Sequence, residues 1–87
     1  MDIGEIKELV DNILIEEFEK DGNDLKEDAS LFDDLDLDSL DGIDLVVALE
    51  KAIKTKTGKE IKIEEEKAKK LQTVGDIYKT LEELTNN

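Results

Sequence analysis

The residue that stands out chemically is Ser39, a single serine within the acidic stretch DDLDLDSLDGIDLVVALE of residues 33–50. Asp38 is well placed as the N-cap of a helix that starts near Ser39, with Asp41 at the third position of a capping box. Ser39 is then the first helical residue, and its hydroxyl points outward. Free N–H groups and the helix dipole favour an anion there, such as a phosphate ester. The alternative is that Ser39 is itself the cap, shifted by one residue.

The aspartates before the serine suggest a calcium site as a second interpretation. Asp34, Asp36 and Asp38 alternate in a D-x-D-x-D pattern. An EF-hand loop needs glycine at its sixth position and glutamate at its twelfth, whereas this chain has Ser39 and Leu45 there. We therefore reject an EF-hand and predict no metal site, while weak binding of divalent cations by the clustered carboxylates stays an open alternative.

The residue types that are missing narrow the function further. The chain has no histidine, cysteine or arginine, which excludes Ser-His-Asp triads, thiol nucleophiles, imidazole or thiolate metal sites and bidentate arginine clamps. Its glycines are scattered singly, so it has no phosphate-binding loop of the G-x-G-x-x-G or Walker type. We therefore predict that the protein is not an enzyme.

The formal net charge of −13 indicates a partner of opposite charge. Such a chain repels nucleic-acid backbones and anionic membranes, so we expect no nucleic-acid binding and a partner with a basic surface. Residues 27–50 are acidic and lack lysine, whereas residues 51–70 hold eight lysines. No apolar run approaches the roughly 20 residues of a membrane span, and no signal-peptide pattern opens the chain. We expect a cytoplasmic protein without a membrane span.

The elements that position Ser39 begin with an amphipathic helix over residues 3–18, where apolar residues recur at helical spacing. Asp2 is its predicted N-cap, with Glu5 at the capping-box position. Residues 21–38 predict a long connection that apolar side chains hold against the core. These side chains are Leu25, Ala29, Leu31, Phe32, Leu35 and Leu37.

Three further helices are predicted from capping and stop signals. A second helix starts near Ser39 and stops at Gly58, a short helix covers residues 64–71, and Thr73 with Asp76 caps a final helix. The final helix buries a stripe made of Val74, Ile77, Leu81 and Leu84. The predicted fold class is all-α, a small four-helix bundle of three longer helices and one short helix that forms a single domain over residues 1–87.

The second helix carries two apolar faces, one more than a surface helix of a small bundle needs. The wider face, which we expect to pack on the core, consists of Leu45, Leu49, Ala52 and Ile53. The narrower strip consists of Leu40, Ile43 and Val47, and the acidic residues along its edges are Asp41, Asp44 and Glu50. An exposed apolar strip with acidic edges is typical of a docking surface for a basic groove. The alternative is a central helix that is covered on both sides.

Two segments resemble the acyl carrier proteins: DLDSLDGIDLVVALE at residues 36–50 and KLQTVGDIYKTLEEL at residues 70–84. The resemblance covers nearly the whole chain, including the long loop and the short helix. It implies that 4′-phosphopantetheine is esterified to Ser39 by a phosphopantetheinyl transferase that uses coenzyme A. The terminal thiol of the arm then holds acyl groups as thioesters, and the helices shelter the acyl chain.

The resemblance also assigns roles to neighbouring residues. Asp38 and Leu40 correspond to the motif neighbours of the modified serine, and Asp41, Asp44, Val47 and Glu50 match the family's recognition helix. We expect the last four, together with Ile43 from the apolar strip, to contact partners. The partners that the resemblance implies are the transferase and acyl-carrier-dependent synthases, reductases or acyltransferases with basic docking surfaces, and we expect a monomer.

The sequence departs from the family pattern at three places. Gly42 lies inside the second helix, where glycine costs up to about 1 kcal/mol relative to alanine. The segment of residues 51–62 is long and rich in lysine, and the proline that often precedes the short helix is missing. Because of these departures, a carrier dedicated to one pathway is an alternative to a general one for fatty acid synthesis. The alternatives are a carrier of aminoacyl, D-alanyl or polyketide cargo and an acidic interaction domain in which Ser39 stays unmodified.

Overall fold

A computed structural model describes residues 1–86 and contains four α-helices in that part of the chain. They are α1 (Ile3–Glu16), α2 (Ser39–Thr57), α3 (Glu65–Lys69) and α4 (Val74–Thr85). The predicted all-α bundle of three longer helices and one short helix is confirmed. None of these helices is both long enough and apolar enough to cross a membrane.

Three capping boxes fix where the longer helices begin. The Asp2 carboxylate accepts a hydrogen bond from the backbone N–H of Glu5, and the Glu5 carboxylate accepts one from the N–H of Asp2. Thr73 and Asp76 form the same pair at α4. Both pairs confirm the predicted starts of α1 and α4. These starts could be predicted because a capping box is formed by residues only three positions apart. The third box opens α2 and is described with the functional site.

The helix ends agree less closely with the prediction. α2 stops at Gly58, as predicted, because Gly58 adopts a left-handed conformation with φ 76°. α1 ends at Glu16 rather than at residue 18, since the chain turns away at Glu19, which has φ 56°. α3 is shorter than the predicted residues 64–71.

The three longer helices bury their apolar faces in one core, with α1 in contact with both α2 and α4. α1 contributes Ile6, Val10, Ile13 and Leu14, α2 contributes Leu45, Leu49 and Ile53, and α4 contributes Val74, Ile77, Tyr78 and Leu81. The wider face of α2 is therefore the core face, as predicted. Ala52 of α2 and Leu84 of α4 are half-buried and pack against the core.

The long connection between α1 and α2 is held against the core by apolar side chains, and it contains a 3₁₀ turn at Gly22–Asp24. The buried members are Ala29, Leu31, Leu35 and Leu37, and Leu25 is half-buried. Phe32 was wrongly predicted among them, since 45% of its surface is exposed. It lies in the turn between Leu31 and Leu35, whose side chains take the inward positions.

Backbone hydrogen bonds attach the same connection to the start of α4. The N–H of Leu31 donates to the carbonyl of Gln72 at 2.8 Å, and the N–H of Val74 donates to the carbonyl of Ala29 at 3.1 Å. The N–H of Gly75 donates to the carbonyl of Glu27 at 2.9 Å. This pairing orients the loop that leads into Ser39.

The lysine-rich segment after α2 makes exposed ion pairs. Lys54 pairs with Glu60 at 2.7 Å, and Lys56 pairs with Glu5 at 3.6 Å. Exposed pairs of this kind contribute roughly 0–1 kcal/mol each. The segment thus balances part of the acidic surface and adds little to stability.

Candidate functional site

The first turn of α2 is capped by two aspartates and leaves the serine hydroxyl unused by the cap. The Oδ1 atom of Asp38 accepts a hydrogen bond from the N–H of Asp41 at 2.8 Å. The Oδ2 atom of Asp41 accepts one from the N–H of Asp38 at 3.2 Å. Ser39 is the first residue of α2 and is exposed. The structure thus favours Asp38 as the cap over the alternative in which Ser39 caps the helix.

The surroundings of Ser39 fit a phosphate ester on its hydroxyl. The backbone N–H groups of Ser39 and Leu40 lie at the free end of α2, where the helix dipole stabilises a negative charge by about 0.3–1 kcal/mol. The carboxylates of Asp38 and Asp41 oppose this effect through repulsion. Since the cap uses these carboxylates, their position is explained without the phosphate.

An exposed apolar strip extends from the serine along α2, as predicted. The exposed fractions are 70% for Leu40, 62% for Ile43 and 43% for Val47. Asp44 lies beside the strip and is also exposed. The loop of residues 21–38 does not cover this face, so the alternative of a helix buried on both sides is wrong.

The other two acidic residues predicted to contact partners, Asp41 and Glu50, also have roles inside the protein. Asp41 completes the helix cap. Glu50 is half-buried, and its Oε2 atom accepts a hydrogen bond from the backbone N–H of Ile63 at 2.9 Å. Asp44 is therefore the acidic residue of the strip that is most available to a partner.

An apolar cleft opens beside Ser39, between α2, α3 and the long connection. Its volume is about 440 Å³, within the roughly 300–1,000 Å³ range of small-molecule pockets. Ser39, Gly42 and Phe32 are among its lining residues, and we call the part of the cleft that they line the cleft mouth. Further lining residues are Leu37, Val46, Ile63, Ala68 and Leu71. The site thus combines an exposed hydroxyl with an apolar space next to it.

Several lining residues were not singled out from the sequence. Ala68 and Leu71 lie three positions apart, a helical spacing that could have marked them as one face of the short helix. Ile63 carries no such local signal, because its position depends on how the segment before α3 folds back on α2. Phe32 was singled out only as an anchor of the long connection and not as a residue of the cleft.

The absence of a metal site stays a prediction. Two of the carboxylates before Ser39 accept hydrogen bonds from backbone N–H groups of the protein. Asp34 accepts a hydrogen bond from the N–H of Ser30 at 2.7 Å, and Asp38 caps α2. Within residues 1–86, no group of three acidic side chains is arranged to hold a metal ion.

Comparisons with known proteins agree with this geometry. A family model described as "Phosphopantetheine attachment site" matches residues 8–81. Acyl carrier proteins of two Caulobacter vibrioides strains, NA1000 / CB15N and ATCC 19089 / CIP 103742 / CB 15, are each 39% identical to the chain over 83 residues. Each of these alignments covers 95% of the chain and 99% of the relative.

A further relative comes from another genus. The acyl carrier protein of Phenylobacterium zucineum strain HLK1 is 37% identical over 81 residues, which cover 93% of the chain and 95% of the relative. Together with the family match, this similarity extends over nearly the whole chain. The chain therefore belongs to the acyl carrier proteins, which are carriers rather than enzymes and hold their cargo on a covalently attached 4′-phosphopantetheine.

Proposed function

We propose that this chain carries acyl intermediates as thioesters on a 4′-phosphopantetheine arm attached to Ser39, and that it presents them to enzymes of fatty acid or related lipid biosynthesis. The observation that supports this most is the exposed Ser39 at the start of α2, next to an apolar cleft. The thiol that holds the cargo comes with the arm, because the chain has no cysteine of its own.

The neighbours of Ser39 have separate tasks in this proposal. Asp38 holds the first turn of α2 through its hydrogen bond to Asp41, which keeps the serine at the helix tip. Leu40 is the most exposed of the large apolar side chains and directly follows the serine. We assign it to apolar contact with the transferase.

The docking face of the proposed carrier is the strip on α2 with its acidic edges. The family works with a phosphopantetheinyl transferase and with pathway enzymes. We propose that those enzymes present basic surfaces to Asp44, and that Ile43 and Val47 are buried at the interface. Burying each such side chain contributes roughly 1.5–3 kcal/mol before ordering costs are subtracted. Asp41 and Glu50 add negative charge to the same face while they serve the fold.

The cleft between α2 and α3 is the proposed shelter for the acyl chain. Each methylene group that moves from water into an apolar space contributes about 0.8 kcal/mol. The walls come mostly from aliphatic side chains, with Phe32 at the mouth and the charged side chains of Glu65 and Lys69 on α3. An acyl chain in this space is held away from water while the carrier moves between enzymes.

The apolar character of the cleft favours alkyl cargo over aminoacyl or D-alanyl groups. A free ammonium group loses its hydration on entering an apolar space, which is costly unless a partner compensates. The acidic residue that lines the cleft, Glu65, is exposed and pairs with Lys69 at 3.5 Å. A carrier dedicated to one pathway, including one for polyketide-like products, agrees equally well with the cleft. The cytoplasmic location, the monomeric state and the single domain over residues 1–87 stay predictions.

The attachment site is tested by incubating the purified protein with coenzyme A and a phosphopantetheinyl transferase. We expect the intact mass to rise by one phosphopantetheine, and we expect Ser39→Ala to abolish the rise. Ser30→Ala is the matched control, since Ser30 is the only other serine in the chain. An unchanged wild-type mass with several transferases contradicts the carrier proposal, and modification of Ser39→Ala contradicts the site.

The cargo is tested separately by trapping the thioester that the protein carries in its native cells. The mass released by mild hydroxylamine identifies the acyl group. An alkyl acyl group is expected, whereas an aminoacyl mass would reject the lipid assignment and keep the carrier function.

A further inference from the structure

Gly42 is a glycine inside a long helix, at a place where the fold itself does not need one. It lies three residues after Ser39 in α2 and lines the cleft mouth. Glycine in a helix interior is less stable than alanine because its backbone loses more freedom on folding. A reason for glycine must therefore come from its surroundings or from a ligand.

The protein's own atoms supply no such reason. A Cβ atom built at Gly42 meets no heavy atom within 4 Å, and the residue has an ordinary helical backbone. Two other glycines differ clearly. Gly58 needs its left-handed conformation, and a Cβ at Gly75 would lie 2.8 Å from the carbonyl oxygen of Glu27. Of these three glycines, Gly42 alone has neither a left-handed backbone nor a close contact to explain it.

Gly42 lines the cleft, and so does Val46, which follows it by one helical turn. Val46 adds a β-branched side chain to the wall, whereas Gly42 adds none, and a Cβ atom at its position meets nothing within 4 Å, so there is a gap with room for at least one methyl group. A straight alkyl chain that passes such a gap leaves it empty, and an unfilled gap forfeits van der Waals contacts. A chain with a methyl branch or similar substituent fills it.

We infer that Gly42 sets the width of the cleft mouth and admits acyl chains that carry a branch or another small substituent. This inference rests on the proposed function and names the class of cargo. Ser39 is the attachment point of the arm, the missing side chain of Gly42 leaves space for the substituent, and Phe32 lines another part of the mouth.

The experiment compares two isomeric acyl groups, octanoyl and a methyl-branched isomer, loaded on the wild type, Gly42→Ala and Gly4→Ala. Isomers bury similar apolar area, so a difference reports on shape. Gly4→Ala is the matched control, because Gly4 also lies in a helix, does not line the cleft, and would place its Cβ 3.4 Å from the nearest atom, an ordinary contact. The measurements are the gain in thermal midpoint on acylation and the rate of thioester hydrolysis.

We expect Gly42→Ala to keep the gain from octanoyl and to lose that from the branched chain, whose hydrolysis rises about fourfold, the equivalent of one methylene-sized contact. Gly4→Ala should behave as the wild type does. If Gly42→Ala protects both chains as well as the wild type, the inference is wrong. If neither chain stabilises the wild type, the cleft does not hold cargo, and the inference is overturned with that part of the proposed function. Failure to load any arm would instead contradict the carrier proposal.

Discussion

Glu50 and Ile63 join α2 to the segment in front of α3, because the Oε2 atom of Glu50 accepts a hydrogen bond from the backbone N–H of Ile63 at 2.9 Å. Ile63 is buried and lines the cleft. The carboxylate of Glu50 therefore helps to hold one wall of the proposed cargo site, besides adding charge to the docking face. A substitution at Glu50 changes both properties at once.

The first prediction concerns this hydrogen bond between Glu50 and Ile63. Glu50→Ala removes the acceptor and leaves a partly buried N–H without its partner, so we expect the free energy of unfolding to fall by about 1–3 kcal/mol. Glu50→Gln keeps a neutral acceptor and should lose less. Urea unfolding followed by circular dichroism measures both. Asp44→Ala is the control, for which we expect little change in stability. A Glu50→Ala variant as stable as that control would show that the hydrogen bond contributes nothing to the free energy of unfolding.

The second prediction separates docking from folding. Asp44→Lys reverses a charge on an exposed position of α2, so stability should hold while transfer by the phosphopantetheinyl transferase slows. The loss in kcat/KM should be larger at low salt, where screening is weaker. Glu83→Lys makes the same charge change at an exposed position on α4. Equal rates for these two variants would remove Asp44 from the docking face.

Much of the fold was predictable because its signals are local. The capping pairs Asp2 with Glu5 and Thr73 with Asp76 need only three residues of separation, and helical periodicity identified the core faces. The capping of α2 by Asp38, and with it the position of Ser39, follows from the same kind of signal. The exposed strip on α2 was predictable for the same reason, since one helix cannot direct two opposite faces to one core.

The parts that escaped prediction depend on contacts between distant residues. Tyr78 is buried in α4 and its hydroxyl donates a hydrogen bond to Asp11, 67 residues earlier. The contact of Glu50 with Ile63 and the exposure of Phe32 likewise depend on the path of loops. The cleft is therefore a tertiary feature, and only the resemblance to acyl carrier proteins implied it.

The third prediction concerns the close approach of Gly75 to the long connection. A Cβ at this position would lie 2.8 Å from the carbonyl oxygen of Glu27, which also accepts the hydrogen bond from the N–H of Gly75. Gly75→Ala should therefore destabilise the protein by about 1–3 kcal/mol, as overpacking does. Gly4→Ala should be neutral or stabilising by up to about 1 kcal/mol. Equal unfolding midpoints in urea for the two variants would contradict the close approach.

The fourth prediction concerns pH and the buried Tyr78. Burial raises the pKa of the Tyr78 hydroxyl, and its hydrogen bond to the negatively charged Asp11 raises it further. The folded protein therefore favours the protonated form. The resulting stabilisation is complete below pH 10, near the pKa of tyrosine in the unfolded chain, and is lost as the pH rises from there toward the higher folded pKa.

Tyr78→Phe isolates this effect from the titration of the lysines, which both proteins share. At neutral pH the variant should be less stable than the wild type by roughly 1–2 kcal/mol, because the hydrogen bond to Asp11 is lost. The difference should shrink as the pH is raised above 10 in urea unfolding experiments. Tyr78 is the only tyrosine and the chain has no tryptophan, so the ultraviolet absorbance of tyrosinate follows its ionisation directly. A midpoint at the ordinary value near 10 would show that burial and Asp11 do not hold the proton, and a difference that stays constant with pH would agree with that result.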